Sequence, residues 1–128
     1  MICNKCQHRE EIEYDIEGEF SKLASFIGMN KNMFHDRAVP EWVSPPYPLC
    51  PTCGAAAGGK LRPELPGEME KTNWLFLLLG QMLGHCTMPF LKYFCRMNGH
   101  HRSGAYNRLL FQTYMELCCQ LDPLFRLI

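Results

Sequence analysis

Cys3 and Cys6, and then Cys50 and Cys53, form two Cys-x-x-Cys pairs. The turn between paired cysteines aims both sulfurs at one point, and backbone N–H groups of the turn can bond to the thiolates. Two such pairs supply four soft donors, the set that a tetrahedral metal ion takes. No other pattern in the chain is as specific for metal. In the second pair, Cys50-Pro51-Thr52-Cys53-Gly54, Pro51 fixes φ at the start of the turn, and Gly54 is expected to take the left-handed conformation after it. In the first pair Gln7 stands where glycine would serve better, and His8 is a candidate replacement ligand. Four thiolates leave no open coordination position. The ion expected is therefore one structural zinc, whose binding is coupled to the folding of residues 1–56.

These knuckles resemble those of zinc-ribbon and rubredoxin-like proteins. The resemblance covers residues 3–6 and 50–54, extends toward the segment after the first knuckle, and does not reach the C-terminal half. It implies a structural zinc or, in the rubredoxin-like alternative, an iron that carries electrons. The 43 residues between the pairs are more than a compact ribbon has. Closure entropy grows slowly, about 0.6 kcal/mol per doubling of loop length, so the separation is tolerable.

Other residues capable of chemistry are more weakly patterned. No Ser/His/Asp arrangement, phosphate loop or acid–base pair is present, and a non-enzymatic protein is expected. Glu11, Glu13, Asp15 and Glu17 alternate with apolar residues. On a strand they would form a row spaced nearly 7 Å apart, similar to nucleic-acid phosphates. Such a row suits a partner-binding surface, including an inhibitor that imitates nucleic acid; a soluble edge strand is the simpler use of the same pattern. Lys92, Arg96, His100, His101, Arg102 and Arg108 gather about a turn between helices. In the alternative function, nucleic-acid binding, Lys92, Arg96, Arg102 and Arg108 would contact phosphates. Cys86, Cys95, Cys118 and Cys119 match no knuckle spacing and read as core thiols. The partner expected is another protein or protein complex, with nucleic acid as the alternative and no membrane role.

The elements that must position these groups follow from periodicity. The alternation Glu11 to Glu17 predicts a half-buried strand with Ile12, Tyr14 and Ile16 inward. Phe20, Leu23, Ala24 and Ile27 share one helical face, and Gly28 marks the expected end. Residues 29–49, with Pro40, Pro45, Pro46 and Pro48, read as a connection, with Trp42 and Tyr47 packing over the metal site or the helix. Residues 54–59 read as a flexible exit. The C-terminal half reads as helices: one carrying Trp74 to Leu79, one from Pro89 to Met97 stopped at Asn98-Gly99, and one from Ser103 or Gly104 through Leu121. Residues 72–91 carry no formal charge. They are long enough for a membrane span, but Gln81, His85, Thr87 and Pro89 interrupt them, and a buried core helix is expected instead.

The fold class expected is α+β: a zinc-knuckle module with a short antiparallel sheet and one helix, followed by a bundle of two or three helices. The expected division is residues 1–59 for the metal module, 60–68 for a linker and 69–128 for the helices. The chain has 128 residues and zero formal net charge. The halves differ: residues 1–70 carry a net −4 and residues 71–128 a net +4. With eight cysteines and no secretory leader at Met1, thiolate ligands in the cytoplasm are expected rather than disulfides.

Overall fold

The computed structural model describes residues 1–35, 37–100 and 104–123. Its elements are β1 (Ile2–Cys3), α1 (Ile16–Phe34), α2 (Pro40–Val43), α3 (Gly54–Ala57), β2 (Leu61–Arg62), α4 (Trp74–Leu79), α5 (Met88–Met97) and α6 (Tyr106–Leu121). Single 3-10 turns at Met69–Lys71 and Leu83–His85 flank α4. The fold is α+β. Its one sheet among the described residues pairs β1 with β2 antiparallel, with Ile2 opposite Arg62 and Cys3 opposite Leu61.

The strand expected over residues 11–17 does not form. Residues 11–15 have no regular structure, and α1 begins at Ile16. Asp15 is the reason for that boundary. Its backbone is extended and its carboxylate accepts the Gly18 N–H at 3.0 Å, satisfying one of the donors that a helix start leaves open. Ile12 and Tyr14 are still half-buried, whereas Ile16 is exposed. At the other end α1 runs through Gly28 and stops only at Phe34, followed by His35 in the left-handed conformation. The glycine does not end the helix because the apolar face continues past it to Phe34.

The main core lies between α1, α2, α4, α5 and α6. Trp42 is at its centre, fully buried. Its ring stacks on Tyr114 with centroids 3.7 Å apart and packs against Phe34 at 5.1 Å and Phe26 at 5.8 Å. Its indole N–H donates to Gln81 Oε1 at 3.1 Å. Trp42 therefore packs into the helices and not over the metal site. Gly84 belongs to the same contact: a Cβ there would overlap the Trp42 carbonyl oxygen. The uncharged run is divided among α4, the second 3-10 turn and the start of α5. Among the described residues no helix is long and apolar enough to cross a membrane.

A second, smaller core holds Cys3, Cys50 and Leu61, with Met1, Ile12 and Cys53 against it. Residues 60–68, read from the sequence as a linker, contribute β2 to this core. Leu23 and Ile27 of α1, read as part of the metal-binding half, lie in the helical core instead.

Candidate metal centre

Backbone pairing brings the two knuckles together. The Leu49–Lys60 bridge and the bonds Cys50 N–H to Gly59 O (2.8 Å) and Leu61 N–H to Pro48 O (2.8 Å) make one hairpin. The Ile2–Arg9 bridge and Cys3 N–H to His8 O (2.8 Å) make the other. β1 and β2 join them edge to edge. Side chains add to the join: Lys5 Nζ donates to Ala57 O at 2.6 Å, and Lys60 N–H to Asn4 Oδ1 at 3.1 Å.

At the centre the four Sγ atoms of Cys3, Cys6, Cys50 and Cys53 lie within 4.8 Å of one another. Cys3 and Cys53 sulfurs are 3.5 Å apart, and those of Cys6 and Cys50 are 3.6 Å apart. A tetrahedron with metal–sulfur bonds of about 2.3 Å has its sulfurs about 3.8 Å apart, close to these two distances, so the cluster could hold one ion. Turn amides point at the sulfurs as thiolates require. Lys5 and Cys6 N–H donate to Cys3 Sγ at 3.3 and 3.4 Å, and Thr52 N–H donates to Cys50 Sγ at 3.4 Å. Cys3 and Cys50 are buried, Cys53 half-buried and Cys6 exposed, so the centre sits at the protein surface.

The electrostatics of the cluster suits a cation. The Cys6 backbone N–H, against the opposing effect of burial, lowers the Cys3 pKa to about 6. The hydrogen bond from Cys53 to Cys3, with burial, pushes the Cys53 thiol up to about 12. Protein groups alone thus favour one thiolate and hold its neighbour protonated. A divalent ion would remove that conflict by neutralising the charge among all four.

Of three local expectations, one is met and two are not. Gln7 does hold the left-handed position after the first knuckle, with φ of 66°. Gly54 does not: it opens α3. Its value is space, because a Cβ there would lie 2.9 Å from the Leu49 Cβ. His8 lies outside the group of donors that could share one ion, and its Nε2 pairs with Glu10 at 2.6 Å. Sequence reasoning missed Gly59, read as part of a flexible exit. It is buried against the cluster, where a Cβ would overlap Cys53 Sγ and lie 2.7 Å from Cys3 Sγ.

The other candidates stand apart from this centre. Glu11, Glu13, Asp15 and Glu17 are all exposed, and among the described residues Glu11, Glu13 and Glu17 have no ion pair. They do not share a strand; Asp15 caps α1 and Glu17 lies in its first turn. Lys92 and Arg96 are exposed one turn apart on α5, and Arg108 is exposed near the start of α6. Arg102 and His101 lie outside the described residues. His100 is half-buried and bonded to Glu116 at 3.1 Å. Cys86, Cys95 and Cys118 are buried, and burial pushes the Cys86 and Cys118 thiols up to about 12. Among the described residues only the four knuckle cysteines form a group able to hold a metal.

Residues 1–121 match the family model described as Domain of unknown function (DUF7086). No curated protein and no solved structure matches the chain.

Proposed function

The chain belongs to that family, and we propose that it is a non-enzymatic, zinc-stabilised regulator that docks on another protein through the surface carrying Glu11, Glu13, Asp15 and Glu17. The closed set of four sulfurs carries the reading. With no coordination position left for a substrate, the ion would act as a brace, fixing the hairpins from which the acidic segment departs. Carboxylates without ion pairs suit a basic partner surface. Met29, Met33 and Met97 are 85%, 70% and 65% exposed, and flexible thioethers adapt to a protein surface. Inhibition of a nucleic-acid-processing complex is the narrower form of this reading. It rests on the acidity alone, because Glu17 has left the row for α1.

The test is capture from an extract of the native host, using zinc-loaded wild type and a variant with Glu11→Gln, Glu13→Gln, Asp15→Asn and Glu17→Gln. Asn keeps an oxygen to cap α1. A partner held by the wild type and lost by the variant supports the reading. Identical captured proteins remove the acidic row from the mechanism. Elemental analysis of protein purified without added metal should give about one equivalent of zinc, as a single four-sulfur site requires. The same sulfurs would hold iron in the electron-carrier alternative, which a red protein absorbing in the visible would establish.

Exposed Lys92 and Arg96, with no ion pair among the described residues, favour a second reading, nucleic-acid binding. It requires retention on heparin or duplex DNA that weakens steeply with salt and is lost on combined Arg96→Glu, Arg102→Glu and Arg108→Glu substitution.

A further inference from the structure

A recess of about 380 Å³ opens between the C-terminal half of α1 and the middle of α6. Ile27, Lys31 and Phe34 reach it from one face of α1, His35 from just past its end, and Phe111 and Met115, one turn apart, from α6. Its floor is apolar and firmly held. Ile27 and Phe34 are buried, Phe34 stacks on Trp42, and the Phe34 and Phe111 rings lie 5.4 Å apart. Its rim is polar. Lys31, Asn32 and His35 are exposed, and among the described residues their side chains make no hydrogen bond or ion pair. The carboxylate of Glu116, beside Met115 in the chain, is held by His100 at 3.1 Å and does not line the recess.

We propose that this recess binds a small amphipathic anion, an aryl or alkyl carboxylate. The apolar body lies on Ile27, Phe34, Phe111 and Met115, and the carboxylate meets the Lys31 ammonium with Asn32 and His35 as further donors. The volume falls in the range of small-molecule sites, roughly 300–1,000 Å³, which share an apolar floor and a few convergent polar groups. A protein interface needs far more surface than seven residues supply. The Lys31 ammonium beside an apolar floor selects the sign of the ligand, since attraction strengthens where water is displaced. The site is separate from the thiol centre and from the acidic row, so it stands or falls without the docking reading.

The test uses the full, zinc-loaded chain with two probes of the same shape, 2-naphthoate and neutral 2-naphthalenemethanol, titrated by calorimetry and amide NMR. The naphthoate should saturate one site and shift amides of α1 and α6. The alcohol should bind about threefold more weakly, the worth of one exposed ion pair. Lys31→Gln, on exposed helix surface, should erase that preference, and Met115→Trp should fill the recess and abolish binding at an unchanged unfolding midpoint. Absence of saturation at millimolar naphthoate, as expected if the recess only seats a partner's side chain, overturns the proposal. So does equal affinity for the two probes, or a preference that survives Lys31→Gln, whether or not the Met115 variant folds.

Discussion

Gln7 and Gly59 show how differently two residues beside the same four sulfurs are constrained. Gln7 adopts φ of 66°, a conformation in which its Cβ crowds the backbone. Gln7→Gly removes that strain and should stabilise the metal-loaded protein by about 1 kcal/mol, less the entropy glycine adds to the unfolded chain. Urea unfolding measures it, and a loss of stability would mean that the Gln7 side chain makes contacts worth more than the strain. At Gly59 the limit is space. Gly59→Ala should drive the sulfurs apart and reduce bound zinc well below one equivalent, while far-UV circular dichroism keeps the signal of the helices. Full zinc occupancy in that variant would show that the loop gives way more easily than a 2.7 Å approach to Cys3 Sγ suggests. The four clustered cysteines were legible in the sequence because two-residue spacing encodes the convergence of each pair locally. The strained Gln7 was legible too, as a departure from a turn's preference. Gly59 was not, because the sulfurs it must admit include Cys3, brought there only by pairing between β1 and β2.

Among the elements, α1 is the one whose limits the sequence obscured. Alternation of acids with Ile12, Tyr14 and Ile16 is what a strand shows, but a strand also needs a free neighbouring edge to pair with. Here β1 takes β2, and of residues 11–15 Ile12 packs on the thiol core and Tyr14 on the helices, 5.1 Å from Phe76. The Asp15-x-x-Gly18 cap decided where the helix began. Gly28 misled for a related reason: a glycine ends a helix when it supplies a left-handed residue, and here His35 does so instead, with φ of 48°. The C-terminal helices were easier to place. Gly99 takes φ of 80° after α5, as the Asn98-Gly99 stop implies, and Pro89 falls within the first turn of α5, where its missing N–H is harmless. Because Gly28 is helical and a Cβ would meet nothing within 4 Å, Gly28→Ala should stabilise the protein by about 1 kcal/mol. The midpoint of chemical unfolding checks the sign. A fall would show that α1 bends at this residue in a way the free space conceals.

For the molecule as a whole, stability depends on how the small thiol core is joined to the large helical one. The join includes a chain of three contacting residues that sequence could not reveal, since its members come from a proline-rich connection, β2 and a 3-10 turn. Arg62 lies over the Tyr47 ring at 5.1 Å, and the Tyr47 hydroxyl meets His85 Nδ1 at 2.8 Å. Burial, with the positive charge of Arg62 in support, holds the His85 pKa below its ordinary 6.5. The imidazole is therefore neutral in the fold, with its Nδ1 and the Tyr47 hydroxyl sharing one hydrogen bond. The unfolded chain has no such bias and binds the proton first as pH falls. By linkage, stability is lost as pH drops through the unfolded value of 6.5 toward the lower folded one, and is level with respect to this group above it. Acid also competes with the metal for thiolates, which adds a slope of the same sign. His85→Asn separates the two, since a carboxamide can accept from or donate to the Tyr47 hydroxyl but does not titrate. Thermal unfolding of zinc-loaded protein between pH 5 and pH 7 should therefore fall less steeply in the variant than in the wild type, the thiolate contribution being common to both. Coincident slopes would mean that protonated His85 fits the join as well as the neutral ring, and that acid reaches the fold through the metal centre alone.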